Sequence, residues 1–326
     1  MYLLNKFLIA LLTIVIALTI TFILIRNIPG DIVYSKAIAI MSTEHIPFDM
    51  AYEAAEALYG VKLEGSAFSQ YVTYIKNILH GDLGESIIYR IPVMDIVLKA
   101  IPWTAFICSV SIIISFFIGS KLGLLVTAKR RSILNSFLNG YASITDATPD
   151  FITAVLLLII FAINLGWFPL KGAYDISVDP GFNLPFILSV LHHAALPIAA
   201  FTIENIGGWA LVMKSSATDI LGEDYITAAK AKGLKDRRIR KKYIGKNAIL
   251  PPFTSLAIAF GGMLGGSALI ESTFSYPGMG YYFGIATGNR DFTLMQGLFL
   301  ITTVAMVIAN VMADVLYYFL DPRVRG

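Results

Sequence analysis

A charge-free apolar run at residues 7–25 most constrains what this chain can fold into. As a helix at 1.5 Å per residue it would be about 29 Å long, the thickness of a bilayer's hydrocarbon core. Lipid offers no partner for an open backbone N–H or C=O, so such a run crosses as a helix, which pairs its own backbone. The run is longer than a signal-peptide apolar core and no small-residue cleavage site follows it, so it reads as a retained transmembrane helix. Residues 103–120 form a second charge-free run. Of the 326 residues, 56% are hydrophobic and 14% charged, against roughly 25% charged in soluble domains. The expectation is an all-α integral membrane protein forming one domain over residues 1–326. It has six transmembrane helices, at about 7–25, 101–126, 143–165, 193–213, 253–270 and 292–320. An external segment, 27–100, follows the first, with short amphipathic helices at 52–58 and 71–79.

Charge sets the orientation. Ten of the 25 Lys and Arg lie from Lys214 to Lys246, between two apolar segments. Lys129, Arg130 and Arg131 form another basic knot. With these segments inside, 16 of the 25 are cytoplasmic, and the positive-inside rule places both termini in the cytoplasm. Cys108, the single cysteine, lies in an apolar run, so no internal disulfide forms and no redox site is implied.

The basic segment at 215–250 has an internal grammar. Leu221, Tyr225 and Ala228 fall at i, i+4 and i+7, one apolar stripe of a short helix at 221–232. Gly233 is placed to end it in the left-handed conformation, with Leu234 as the closing apolar contact. Asp236 is placed to cap a second helix, and Pro251-Pro252 to open the next apolar helix. The Ala228-Ala229 pair strips one face to methyls, which lets another protein's backbone approach closely.

These residues resemble the cytoplasmic coupling loop of ABC importer permeases, a Glu-Ala-Ala, three residues, Gly and a later Leu-Pro. Thr227-Ala228-Ala229, Gly233 and Leu250-Pro251 match, with Thr227 in place of Glu. That departure and the longer Gly-to-Pro spacing resemble the dipeptide/oligopeptide/nickel branch, as do Tyr225, Ala231, Lys232 and Leu234. Outside the loop, Gly81-Asp82-Leu83-Gly84-Glu85-Ser86, Leu165-Gly166-Trp167-Phe168-Pro169, Pro277-Gly278-Met279-Gly280, Asn289-Arg290-Asp291 and Asp321-Pro322-Arg323 are similar to the same branch. Ile32 departs from its usual Gly-Asp-Pro. The resemblance covers nearly the whole chain.

What it implies is a type I importer permease in the plasma or inner membrane. Such a subunit pairs with a second, homologous permease, two cytoplasmic ABC ATPases and an external solute-binding protein, embedded in lipid. Leu221, Tyr225, Thr227, Ala228, Ala229, Lys232 and Gly233 would carry the ATPase coupling. The cargo would be peptides, with nickel chelates or oligosaccharides as alternatives.

The chain's own chemistry agrees with a non-enzymatic role. No phosphate-binding loop is present: Gly208 to Lys214-Ser215 lacks the second Gly and follows an apolar run. No Cys/His cluster has metal-ligand spacing, and the His192-His193 pair reads as interfacial. No cofactor is therefore expected in this chain, with ATP and Mg²⁺ on the partner ATPases, and no nucleic acid. Glu204, with Asn205, stands near the middle of the fourth helix. A charge there costs about 2.5–3.5 kcal/mol to insert, so it faces a wet cavity or a neighbouring helix. Both a pore-lining and a structural role fit. Asp146 and Asp150 read as helix-end acids, and Asp314 as structural. Two rivals stay open: a proton-coupled secondary transporter using Glu204, and a membrane scaffold whose basic loop binds anionic lipid.

Overall fold

A computed structural model describes residues 2–27, 32–59, 66–127, 133–265 and 268–320. Helices dominate, and the β-structure among the described residues is one isolated antiparallel bridge, Glu85 to Pro92. In chain order come α1 (Tyr2–Asn27), α2 (Ile32–Glu44), α3 (Phe48–Tyr59), α4 (Ala67–Leu79) and α5 (Val93–Thr127). They are followed by α6 (Ile133–Ala147), α7 (Asp150–Leu157) with a π-helical continuation Leu158–Asn164, α8 (Leu184–Ile220) and α9 (Asp224–Ala231). Then come α10 (Asp236–Arg238), a π turn Ile239–Ile244, α11 (Gly245–Ala248) and α12 (Leu250–Gly262). A 3₁₀ turn Met263–Gly265, α13 (Ala268–Thr273), α14 (Met279–Asn289) and α15 (Phe292–Leu320) complete the chain.

Among the described residues, α1, α5, α8 and α15 are each long and apolar enough to cross a membrane. Two bent pairs also qualify, 133–164 with a 99° bend and 236–265 with a 45° bend, giving six crossings if each pair is one span. The sixth predicted helix has the observed bounds of α15. Others differ for local reasons. α8 begins nine residues before the expected 193 because Asn183 caps it: the Phe186 N–H donates to Asn183 Oδ1 at 2.8 Å, and Pro185 sits in the first turn. The third helix, expected at about 143–165, is instead broken between α6 and α7. Pro149 has no N–H to give and drives the residue before it from helical geometry, and its own ψ of 133° is extended. The fifth is interrupted after Gly262, where glycines at 261, 262 and 265 weaken the helix.

The chain divides into two compact units. One comprises residues 1–101 and 282–307. There α2 packs on α3 through Val33, Ala37 and Ala55. Asp291, fully buried, accepts from Ser86 Oγ, the Ile88 N–H and the Leu294 N–H, and so ties the segment between α4 and α5 to the start of α15. The other comprises residues 102–281 and 308–326. Its main core gathers Ile107, Leu196, Ala200, Ile270, Phe274 and Tyr276. A close helix approach occurs at Gly261, where an added Cβ would collide with Ala309 of α15. The turn at 29–31, the basic knot at 129–131, Gly266, the Asp314 side chain and the C-terminal 321–325 run lie outside what is described.

Candidate functional site

The segment from Leu221 to Ala248 folds onto the C-terminal ends of α5 and α8. Ile226 and Ala229 of α9 are buried with Met213 and Ala217 of α8 and with Ile239, Ile244 and Ala248 beyond. Leu124 of α5 borders this cluster, and Ser216 Oγ donates to the Ala248 carbonyl at 2.9 Å. α9 is therefore packed on α5 and α8 through a small apolar core.

The stop of α9 is a Schellman turn. Gly233 has φ +70°, its N–H donates to the Lys230 carbonyl at 2.9 Å and the Leu234 N–H donates to the Ala229 carbonyl at 3.3 Å. Leu234 packs on the same cluster as Ala229. The expected glycine stop is present with its closing contact. The second expected cap is corrected: Lys235 holds the N-cap position and Asp236 is a first-turn acid whose side chain makes no capping bond. Asp236 sits one residue too far along to reach the first free N–H groups, yet its charge still opposes the dipole favourably.

The structure divides the predicted coupling residues between two faces. Tyr225, Thr227, Ala228, Lys232 and Gly233 are exposed. Ala229 turns inward, and Leu221 ends α8 and packs on the same core instead of starting α9. The Tyr225 hydroxyl accepts from Asn247 Nδ2 at 3.0 Å, bracing the exposed face from α11. Only Ala228 of the alanine pair offers its methyl outward. The sign of the stripe was ambiguous because Ile226 and Ala229, at i and i+3, form an equally good apolar pair.

Glu204 and Asn205 line a cavity of about 470 Å³ between α6 and α8. Asp146, Thr145 and Trp209 share its wall, and among the described residues no Lys, Arg or His does. Thr153 Oγ1 donates to Glu204, and Asn205 Nδ2 donates to the Phe201 carbonyl at 2.7 Å. Asp150 stands in the first turn of α7, as its helix-end reading required. His192 and His193 line a second cavity, of about 650 Å³, with Asp175 and Ser189. His192 Nε2 bonds the Trp167 carbonyl and His193 Nδ1 the Ser189 carbonyl, each at 2.8 Å.

One site was missed. Glu271, in α13 outside the spanning helices, is fully buried. Thr104 Oγ1 donates to its Oε1 at 2.9 Å, and the Gly280 and Tyr281 N–H groups donate to its Oε2 at 2.8 and 3.1 Å. Thr104 Oγ1 also accepts from the Met279 N–H at 2.8 Å. A Cβ at Gly278 would strike both side chains. The Pro277-Gly278-Met279-Gly280 turn is thus built around this carboxyl. Burial pushes its pKa up to about 7, against the lowering effect of the three hydrogen bonds. The available signal was an acid a few residues before a glycine-rich turn whose N–H groups need an acceptor.

Residues 119–326 match the family described as binding-protein-dependent transport system inner membrane component. The chain belongs to this family. Among its relatives, the oligopeptide transport system permease protein OppB of Haemophilus influenzae is 31% identical over 325 residues, 99% of each chain. The oligopeptide transport system permease protein AppB of Bacillus subtilis is 30% identical over 81% of this chain and 82% of its own. The di/tripeptide transport system permease protein DppB of Pseudomonas aeruginosa is 29% identical, covering 94% of this chain and 93% of its own. Two solved structures share the fold. An inward-facing MetNI methionine ABC transporter chain superposes with TM-score 0.55 at 16% identity, over 70% of this permease and 97% of that chain. An amino acid ABC transporter chain does so with TM-score 0.51 at 15% identity, over 70% and 95%. The six-crossing type I importer fold expected from the sequence is the fold this permease has.

Proposed function

We propose that this permease is one membrane subunit of an ATP-driven peptide importer and forms half of its translocation pathway. The observation that carries the reading is the full-length similarity to a permease named for oligopeptide transport. The shorter-peptide names among the relatives point to the same cargo class. A second, homologous permease supplies the other half, and an external binding protein delivers the peptide. Two cytoplasmic ATPases hold the ATP and Mg²⁺, and both termini of this chain lie on their side of the membrane.

The mechanical part follows from the coupling segment. An ATPase subunit grips the exposed face of α9, at Tyr225, Thr227, Ala228, Lys232 and the Gly233 turn. The buried face of α9 is packed against α5 and α8. Closure of the ATPase pair then moves α9 as a rigid lever, and the spanning helices swing between inward and outward access. Glu204 and Asn205 line the pathway in the middle of the membrane and give a passing peptide's polar groups partners in place of water. The chain itself makes and breaks no covalent bond.

The test is uptake of radiolabelled trialanine by proteoliposomes holding the complete transporter. Uptake is expected to need ATP and to persist with a protonophore present. Uptake that stops with the protonophore and ignores ATP would replace this reading with a proton-coupled carrier. Glu204→Gln is expected to assemble normally and change the uptake rate; unchanged kinetics would remove Glu204 from the pathway.

A further inference from the structure

We infer that α4 is an interfacial helix that lies in the outer leaflet and anchors the external segment to lipid. The argument begins with its sequence. At 3.6 residues per turn, Phe68, Val72, Ile75 and Leu79 fall within about 60° of one another. Tyr71, Tyr74 and Ile78 occupy the adjoining sector, and Ser69, Thr73, Lys76 and Asn77 the sector opposite. The apolar surface therefore covers nearly half the helix, yet no residue of α4 is buried.

The two apolar sectors have different neighbours. Tyr71 and Tyr74 pack on Phe22 of α1, with ring centroids 5.3 and 5.6 Å apart, and the Tyr71 hydroxyl bonds Thr19 Oγ1 at 2.6 Å. The other stripe is open: Phe68 is 76%, Val72 49% and Leu79 80% exposed, with Ile75 half-buried between them. Three such apolar side chains left in water would be costly, about 25 cal/mol for each Å² uncovered.

Position along α1 identifies what covers them. The apolar window of α1 ends at Ile25, and Phe22 lies three residues inside it, about 5 Å at helical rise. This is the depth at which interfacial helices rest, about 5–10 Å into the boundary between headgroups and chains. α1 itself presents Ile16, Ile20, Ile23 and Leu24 outward, so the open stripe of α4 continues a surface already turned to lipid. Tyr71 and Tyr74 sit where aromatic belts form. Lys76 is the sole charge on α4 and lies in the polar sector, so apolar burial, not attraction to anionic headgroups, holds the helix.

The test places single nitroxide-labelled cysteines in the complete transporter in phosphatidylcholine/phosphatidylglycerol nanodiscs, with the wild type, whose Cys108 is buried, as the labelling blank. Phe68→Cys, Val72→Cys and Leu79→Cys are expected to collide with oxygen more than with a water-soluble nickel complex. Thr73→Cys and Asn77→Cys are expected to show the reverse. Water exposure at all five positions would overturn the inference. So would exclusion of both reagents with immobilised labels at 68, 72 and 79, which would assign the stripe to a protein partner.

Discussion

Gly233 offers the sharpest perturbation of the coupling segment. Its φ is +70°, and a Cβ added there meets nothing within 4 Å. Gly233→Ala therefore costs backbone strain alone, about 1–2 kcal/mol for an L-residue in the left-handed region. That is roughly a factor of 5–30 in the balance between a closed and an unwound turn. Unwinding breaks the bonds from Gly233 to Lys230 and from Leu234 to Ala229 and releases the Leu234 contact. Affinity of the purified permease pair for its ATPase subunits then weakens by up to that factor, because a partner that reads the closed turn sees only its closed fraction. Gly233→Val is worse, since a β-branched residue at positive φ is a steric outlier. Gly233→Asn stays near wild type, since Asn visits this region readily. The assay is ATPase binding by surface plasmon resonance on nanodisc-embedded permease, with membrane insertion scored in parallel. Wild-type affinity for the Val variant, or equal loss for Asn and Val, would refute the reasoning.

Three further outcomes follow from the packing. Glu271→Ala leaves the Thr104 hydroxyl and the Gly280 and Tyr281 N–H groups without their acceptor, at about 1–3 kcal/mol for each buried group. Thermal unfolding in detergent is expected to fall by many degrees for Ala and by far less for Gln, which keeps one acceptor oxygen. Because burial raises the folded pKa of Glu271 to about 7 from an ordinary 4.5, folding binds a proton between those values. Its contribution to stability is full below pH 4.5 and is lost as pH rises through 7, on the order of 3 kcal/mol in all. A melting curve against pH should carry this slope in the wild type and lose it in Glu271→Gln. Gly261→Ala drives a methyl into Ala309 and should cost about 1–3 kcal/mol by overpacking. Adding Ala309→Gly should recover most of it, read as coupling in a double-mutant cycle.

Much of this was legible in the chain because lipid leaves few choices. α1 was marked by the unbroken apolar run at 7–25, and α15 by its bounds. The Gly233 stop was legible because glycine takes that φ with no Cβ penalty and the residues on either side fitted the motif. The break at Pro149 was hidden by the apolar run that continues beyond it, although the proline was in view. The π-helical stretch Leu158–Asn164 has no residue signature. Which face of α9 points inward depends on a core assembled from α5, α8 and the π turn at 239–244, and a one-helix pattern could not choose between two apolar pairs. The Glu271 hub joins residues 167 apart in sequence. The Thr104 half of the hub leaves no local pattern, and the acid ahead of the glycine-rich turn was its one local sign.

The most direct measurement is photo-crosslinking from α9 in membranes that are importing solute. A benzophenone amino acid at position 228 points outward and one at 229 points into the core. The account predicts capture of an ATP-hydrolysing subunit from 228 and none from 229. No such subunit captured from 228, or equal capture from both positions, would contradict it.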